Sequence, residues 1–410
     1  MSRLLLLLVF ALPCAVAAAP DPALAHARAL LKSTILIDGH NDLPWEIREY
    51  EKAPMDVEAY DLRQHAAGDT DLARLKQGQV RAQFWSVFVP GEVKDGYAKT
   101  QLEQLDIARR MIARYPEAME LALSAVDVRR IAAKGKVASL LGMEGGHVLE
   151  NSLGSLRAYY ELGARYMTLT HNVTLDWADA ALDEPRHHGL TPFGKEVVRE
   201  MNRLGMLVDI SHVSPEVMRD VLDVSAAPVI FSHSSAYALV DHARNVPDEI
   251  LQRMAANGGV VMVTFVPPFV NRDAKAWSAG LEQQFKGVVS DAEMARLEKA
   301  YTAEHGPSPK ATLRDVADHI DHIARVAGHD HVGIGGDFGG ENNPAGLEDV
   351  SKYPELFAEL IRRGWSDADL KKLAGENLLR TFAQAEQVAR RLQKERAPST
   401  ATIAALDGKK

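Results

Sequence analysis

Eight short runs of apolar, mostly β-branched residues recur along this chain, and amphipathic helical patterns separate most of them. The runs lie at residues 35–37, 80–89, 137–143, 166–170, 207–210, 229–231, 260–265 and 332–334. Eight strand–helix alternations predict an α/β protein with a parallel (β/α)₈ barrel, a fold that 410 residues can form as one decorated domain. A doubly wound open sheet is the alternative, but residues 38–42, DGHND, lack the glycine-rich phosphate fingerprint of that fold.

Helix signals fall between the runs. Residues 102–115 and 313–326 carry apolar residues at helical spacing, and Thr191 and Ser214 each precede a proline, as helix N-caps do. Residues 271–309 are polar and helix-prone, which predicts a long excursion between the seventh and eighth strands. We expect one (β/α)₈ domain over residues 28–386, followed by a charged, flexible tail over residues 387–410.

The N-terminus has the pattern of a secretory signal peptide. Residues 1–19 combine a positive start, an apolar run at residues 4–12 and several alanines. Cleavage after Ala17 or Ala18 fits the small-x-small rule, and residues 25–27 offer a later site. We therefore expect an exported protein, periplasmic or secreted. No later run has the length of a membrane helix.

Composition narrows the chemistry. Cys14 is the only cysteine, which excludes an intramolecular disulfide framework and a cysteine-rich zinc site. Lipid attachment at Cys14 is disfavoured because Pro13 precedes it. The net charge of −9, with no basic run in the interior, argues against a nucleic-acid partner. The 15 histidines direct attention to imidazole and carboxylate chemistry.

Histidine or acidic residues follow six of the eight runs. His40 and Asp42 follow the first run at positions i and i+2, where both side chains point the same way on an extended strand. The later runs end in Glu144, His171, His212, His233 and Asp337. In a (β/α)₈ barrel the carboxyl ends of the strands form the active-site face, so these side chains are predicted to meet.

Their joint placement predicts a metal centre, although each residue alone has an ordinary structural role. Nitrogen and oxygen donors without sulfur suit zinc or a similar divalent ion. Three histidines and two carboxylates, one of them able to bridge, predict two ions about 3.5–4 Å apart. Two carboxylates offset only part of the charge of two such ions, which favours a bridging hydroxide.

The sequence resembles the membrane (renal) dipeptidase family of zinc peptidases. The similar stretches begin with IDGHNDLPW at Ile37, include GMEGGH, PVIFSHSSAYAL and HARNVPDEIL, and end with VGIGGDFGG at Gly340, in the order of the family. The resemblance implies a (β/α)₈ barrel with two Zn²⁺ ions. The metal roles that it implies place His40 and Asp42 on one ion, His212 and His233 on the other, and Glu144 as the bridge.

Three further roles follow from the resemblance. His171 would bind the substrate or the tetrahedral intermediate, Arg244 would bind the substrate carboxylate, and Asp337 would bind substrate and transfer the proton. DFGG replaces the DFDG common in vertebrate members, a difference that bears on local substrate contacts. A C-terminal GPI signal and an intersubunit cysteine are missing, which indicates a bacterial-type member. His147 and His242 are candidates to support these residues, and Trp45 and Trp177 to line the pocket.

The expected function is hydrolysis of dipeptides by a metal-bridging hydroxide, with tolerance of a D-residue at the C-terminal position. A lactonase- or deaminase-type amidohydrolase is one alternative, although such enzymes often begin with H-x-H and use a carboxylated lysine. A non-catalytic maturation protein is the other, disfavoured because no ligand is missing. A serine hydrolase would need a G-x-S-x-G elbow. A dipeptide is the expected partner, and homodimerisation stays open.

Overall fold

The computed structural model describes residues 21–91, 96–287, 290–339 and 342–408. The predicted signal peptide and Cys14 lie outside these residues. Among the described helices, none combines the length and the apolar character needed to cross a membrane.

A closed parallel barrel of eight strands forms the centre of the fold, as predicted. Strand β2 pairs with β1 on one side and β4 on the other, and β1 pairs with β9, which completes the circle. Most barrel strands are continuous buried runs, the pattern of parallel strands covered on both faces. The strands are β1 Leu36–Asn41, β2 Val80–Phe88, β3 Met119–Leu121, β4 Val137–Glu144, β5 Ala164–Thr168, β6 Leu207–Asp209, β7 Ile230–Phe231, β8 Val260–Val263 and β9 Val332–Ile334.

The ninth strand, β3, was not predicted and lies outside the barrel. It pairs with the first residues of β4, from Met119 opposite Val137 to Leu121 opposite Ser139, before β5 takes over that edge at Leu141. With three residues and a half-buried pattern, β3 lacks the apolar run that marks the other strands.

Helices surround the barrel, and α7, α8 and α13 begin where the sequence predicted, whereas α4 begins at Tyr97 rather than at residue 102. Thr191 and Ser214 both cap their helices by accepting a backbone N–H, and Thr312 forms a capping box with Asp315. The helices are α1 Pro22–Lys32, α2 Leu43–Arg48, α3 Leu72–Gln77, α4 Tyr97–Arg114, α5 Ala125–Ala133, α6 Leu153–Glu161, α7 Pro192–Leu204, α8 Pro215–Val224, α9 Asp248–Asn257, α10 Pro267–Val270, α11 Arg272–Phe285, α12 Asp291–His305, α13 Leu313–Ala327, α14 Tyr353–Arg362, α15 Asp367–Lys371, α16 Asn377–Glu395 and α17 Ile403–Asp407.

The excursion predicted between the last two barrel strands is present and contains α10, α11 and α12. The C-terminal segment differs from the tail predicted to begin at residue 387. Helix α16 continues to Glu395 because its face with Ala385 and Ala389 is buried. Beyond it, α17 returns to α7, where Asp407 accepts a hydrogen bond of 3.0 Å from the Phe193 amide.

Helix α16 closes the amino end of the barrel. Asn377 donates to the carbonyl of Val332 at 2.9 Å, at the start of β9, and Thr381 donates to the carbonyl of Gly258 at 3.2 Å, just before β8. Leu378 and Phe382 join the buried cluster of the barrel strands. The carboxyl ends of the strands, where the candidate ligands lie, therefore form the opposite and accessible end.

Candidate active site

Glu144, the last residue of β4, stands at the centre of the predicted ligands. Its Oε2 lies 3.3 Å from Nε2 of His40, and its Oε1 lies 3.1 Å from Nε2 of His212 and 3.4 Å from Nε2 of His233. Three strands thus bring nitrogen donors to the two oxygens of one buried carboxylate, which a fourth strand, β4, supplies. Such an arrangement suits a bridging metal ligand.

The donor atoms form three overlapping groups, each within the reach of a metal ion. The ligand atoms within each group lie within 4.8 Å of one another, and the groups are His40 with Glu144 and His233, Glu144 with His171 and His212, and His40 with Asp42 and Asp337. All seven strand-end residues are therefore brought together. His233 belongs to the same group as His40 and also lies beside His212. The predicted assignment of His233 and His212 to one ion and His40 and Asp42 to the other therefore stays a prediction.

Two observations show that these residues fit a divalent cation. Nε2 of His40 is buried without a hydrogen-bond partner among the described residues, although it lies 3.5 Å from Asp42 Oδ1 and 3.6 Å from Asp337 Oδ1. Nε2 of His212 and Nε2 of His233 face each other at 2.8 Å, beside a carboxylate oxygen. Converging imidazole and carboxylate donors with an unpartnered nitrogen are the donor set of a zinc-type site.

Backbone strain accompanies the site. His212 and Asp337 adopt left-handed conformations, with φ of 66° and 62°, which residues other than glycine seldom do and which concentrate at functional sites. Gly145 has φ of 109°, and a Cβ there would lie 2.3 Å from the His147 ring. The chain therefore turns sharply after Glu144, at a position where only glycine permits this close approach.

The pKa values of two carboxylates in the site, Glu144 and Asp337, are shifted in opposite directions. Burial opposes ionisation of Glu144, but the charge of His40 and a hydrogen bond from His212 hold its pKa well below the usual range. Burial raises the pKa of Asp337 to about 8, and the charges of Asp42 and Glu144 add to this effect against the opposing influence of His40. Carboxylates whose pKa values are separated in this way can serve as a ligand and as a proton carrier.

Arg244 is a buried cation beside the centre. Its side chain, on a residue 2% exposed, reaches Ser234 Oγ and the His233 carbonyl, both at 3.3 Å, and lies 5.3 Å from the Phe269 ring centroid. Among the described residues, no carboxylate lies within 4.0 Å of its guanidinium. The nearby acids Asp241 and Asp248 pair instead with Lys275 and His322.

His242 supports Arg244, one of the two roles that the sequence left open for it. Its Nδ1 accepts from the Arg244 backbone amide at 3.2 Å, and its ring packs on Phe269 at 4.4 Å. Nε2 of His147 lies 2.9 Å from the carbonyl oxygen of Val89, just beyond the end of β2. Burial is the main reason that the pKa of Arg244 falls to about 10.

A cavity of about 310 Å³ opens onto these groups. Asp42, Glu144, His171, His212, Arg244 and Asp337 line its polar part, and Trp45, Phe88, Leu182, Val266 and Phe269 its apolar wall. Trp45 thus lines the cavity, whereas Trp177 is fully buried in the core. The cavity is small, which suits a substrate of a few residues at most.

Several contacts of the site were not identified from the sequence. Ser86 donates to Glu144 Oε2 at 3.0 Å, Asn172 Oδ1 lies 3.0 Å from Nδ1 of His212, and Tyr166 OH lies 2.8 Å from Nδ1 of His40. Phe88 packs against His171, with ring centroids 4.8 Å apart. Phe88 could have been found in the sequence only from its position, because it ends β2 at the same end of the barrel as the ligands.

A parallel (β/α)₈ barrel with clustered imidazole and carboxylate donors at its carboxyl end defines the class of metal-dependent hydrolases. Residues 24–396 match the model of the membrane dipeptidase family, peptidase family M19, and the chain belongs to that family. It is therefore a metallo-dipeptidase, and the resemblance seen in the sequence is confirmed. This membership gives no support to the lactonase, deaminase or maturation-protein hypotheses.

Solved structures agree with this assignment. The probable dipeptidase PvdM from Pseudomonas aeruginosa is 27% identical, with a TM-score of 0.80 over 90% of this chain and 100% of that chain. A metallo peptidase from Rhodobacter sphaeroides, liganded with a phosphinate mimic of the dipeptide L-Ala-D-Ala, is 25% identical, with a TM-score of 0.70 over 86% of this chain and 99% of that chain.

Proposed function

We propose that this protein is a zinc-dependent dipeptidase with two zinc ions, in which Glu144 bridges the pair. His40 and Asp42 would hold one ion, and His212 and His233 the other. The supporting observation is the convergence of the three histidines on both oxygens of Glu144, with His40 Nε2 unpartnered among the described residues. Bound there, the ions would supply a bridging hydroxide near neutral pH and polarise the scissile carbonyl.

Arg244 would hold the free carboxylate of the dipeptide. A guanidinium forms a bidentate pair with a carboxylate, and this one is buried without an acidic partner among the described residues. In a dipeptide the carboxylate lies one residue from the scissile bond, whereas a tripeptide cut at its first bond places another residue there. Arg244 would therefore favour dipeptides over longer peptides.

His171 and Asp337 would assist the chemistry. The His171 ring faces the cavity with Nε2 3.8 Å from Glu144 Oε1, and burial lowers its pKa, so its neutral imidazole can donate one hydrogen bond to the developing oxyanion. Asp337 lines the cavity beside the proposed metal ligands, with its Oδ1 3.6 Å from Nε2 of His40, so this carboxyl is placed to take up a proton and deliver it to the leaving nitrogen.

We further propose that the site accepts a D-residue at the C-terminal position. Support comes from the Rhodobacter sphaeroides structure, which holds a mimic of L-Ala-D-Ala in a related fold. A panel containing L-Ala-L-Ala and L-Ala-D-Ala would test this property. Hydrolysis of the L,L-dipeptide alone would exclude it.

Elemental analysis of the purified protein, together with a dipeptide hydrolysis panel, tests the central proposal. We expect two zinc ions per chain and hydrolysis that is lost on chelation and restored by zinc. His305→Ala, at an exposed position on α12, is the control histidine variant and should retain both properties. One ion or fewer after reconstitution with zinc would overturn the binuclear assignment.

Export to the periplasm or medium is a separate proposal, supported by the signal-peptide pattern of residues 1–19. Expression of the full chain, followed by cell fractionation and N-terminal sequencing, tests it. Recovery from the cytoplasm with residues 1–19 still attached would contradict export.

A further inference from the structure

Asp209 is a fully buried carboxylate at the end of β6 that the proposed mechanism does not use. Its Oδ1 accepts from the backbone amides of Ser211 at 3.1 Å and Ser232 at 2.8 Å. Its Oδ2 accepts from the hydroxyls of Thr168 and Ser232, both at 2.5 Å. Since a backbone amide can only donate, the orientation of this carboxylate is fixed.

Ser232 connects this carboxylate to His233. Its Oγ lies 2.5 Å from Asp209 Oδ2 and 2.7 Å from Nδ1 of His233. A hydroxyl has one proton, and the acceptor-only carboxylate takes it, so the Oγ lone pair faces Nδ1. Nδ1 must then carry the imidazole proton, which leaves the lone pair of Nε2 directed at the site, 3.4 Å from Glu144 Oε1.

We propose that Asp209 is a positioning residue that acts through Ser232 to hold His233 in the tautomer required of a metal ligand. This inference rests on the proposed role of His233 as a ligand. Metal-binding histidines commonly donate their other N–H to an oxygen acceptor, which fixes the ring and its tautomer. Ser232 is itself fully buried and does not line the cavity, which excludes it as a nucleophile.

Asp209→Asn reverses the direction of this hydrogen-bond chain with little change in volume. The amide oxygen of the new side chain would stay with the two backbone amides, so its NH₂ would donate to Ser232 and Thr168. Ser232 would then donate to Nδ1 of His233 and place the proton on Nε2. That tautomer cannot bind a metal through Nε2.

The affinity for Zn²⁺ is measured by chelator competition on metal-free protein, with thermal unfolding of the metal-free form as the folding control. We expect Asp209→Asn to weaken zinc binding by about 10–100-fold, as loss of such a supporting group typically does. Ser232→Ala should weaken it less, because His233 is then free to adopt either tautomer. Thr168→Val is the matched control: it removes a hydrogen bond of equal length to the same Oδ2 but does not touch His233.

The double variant Asp209→Asn with Ser232→Ala separates this inference from structural damage. It removes the misdirected hydroxyl, so it should bind zinc more tightly than Asp209→Asn alone. If the double variant binds no better than the single one, or if Thr168→Val matches Ser232→Ala, the inference is overturned. Failure of the unaltered protein to bind zinc would instead refute the proposed function. If Asp209→Asn does not fold, the comparison of Ser232→Ala with Thr168→Val decides.

Discussion

Removal of the Arg244 guanidinium should abolish the preference for substrates with a free C-terminal carboxylate. The perturbation is Arg244→Ala, and the paired substrates are a dipeptide and its C-terminal amide. The two substrates share the scissile bond and both side chains. Their ratio of kcat/KM therefore isolates the interaction with the carboxylate.

The magnitude follows from the burial of Arg244. Burial lowers its pKa from 12.5 to about 10. This change means that the charged guanidinium is destabilised by roughly 3 kcal/mol relative to water. Among the described residues no carboxylate forms an ion pair with this guanidinium, and the more distant charges of Asp337, Glu144 and Asp209 offset only part of the effect of burial, so a substrate carboxylate in direct contact can recover much of that energy. We expect a dipeptide-to-amide ratio of about 10²–10³ in the unaltered enzyme, at about 1.4 kcal/mol per decade.

The assay measures initial hydrolysis rates for both substrates in the unaltered enzyme, Arg244→Ala and Arg244→Lys. The ratio should fall towards one in Arg244→Ala and be intermediate in Arg244→Lys, because an ammonium does not reproduce the bidentate fork. Lys275→Ala is the control, since this cation pairs with Asp241 on the surface. An equal ratio in the unaltered enzyme and Arg244→Ala would refute Arg244 as the carboxylate site.

Two further changes test other parts of the site, and a third tests how stability depends on pH. Glu144→Gln should lose bound metal and turnover, because it removes the charge between two cations; near-normal zinc content by elemental analysis would contradict its bridging role. Asp337→Asn should keep fold and metal but lose about 10²–10⁴-fold in kcat, whereas an effect mainly on KM would assign it to binding. Burial lowers the pKa of His319 to about 4, whereas a histidine in the unfolded chain is protonated below about pH 6.5. Protonation therefore favours the unfolded state, and the free energy of unfolding falls as the pH drops from about 6.5 towards 4. His319→Asn keeps an acceptor for the Ala236 amide but cannot be protonated, so it should lose up to roughly 3 kcal/mol less stability over this pH range than the unaltered protein. Urea denaturation of the metal-free protein measures this difference, and an unchanged pH dependence would show that another group is responsible.

All eight barrel strands could be predicted because buried parallel strands are continuous apolar runs. Their ends were less predictable. Strand β5 begins at Ala164 rather than residue 166, since Arg165 satisfies its guanidinium on the carbonyls of Leu123 and Tyr160, at 2.7 and 2.9 Å, while its backbone joins the sheet. Likewise, the charged sequence of α16 concealed a buried face that continues to Ala389.

The residues that bring donors to the site were visible because each follows a strand at the same end of the barrel. Their supports were not, because they depend on pairings between strands. Asp209 looks like an ordinary acidic residue in LVDISH until the barrel places Ser232 and Thr168 on either side of it. Arg244 lies in a loop, and only the family resemblance singled it out.

The pairing of β1 with β9, which closes the barrel, has a consequence for when the site is completed during synthesis and folding. Strands β1 and β9 pair through Asp38 and Ile334, and the Asp337 amide donates to the His40 carbonyl at 3.1 Å. A nascent chain that has not yet released β9 from the ribosome still has an open sheet, and Asp337 is not yet beside His40. The closed barrel, and the complete cluster that includes Asp337, are therefore properties of the finished polypeptide, so activity that needs this carboxyl can arise only in the compartment where the whole chain folds.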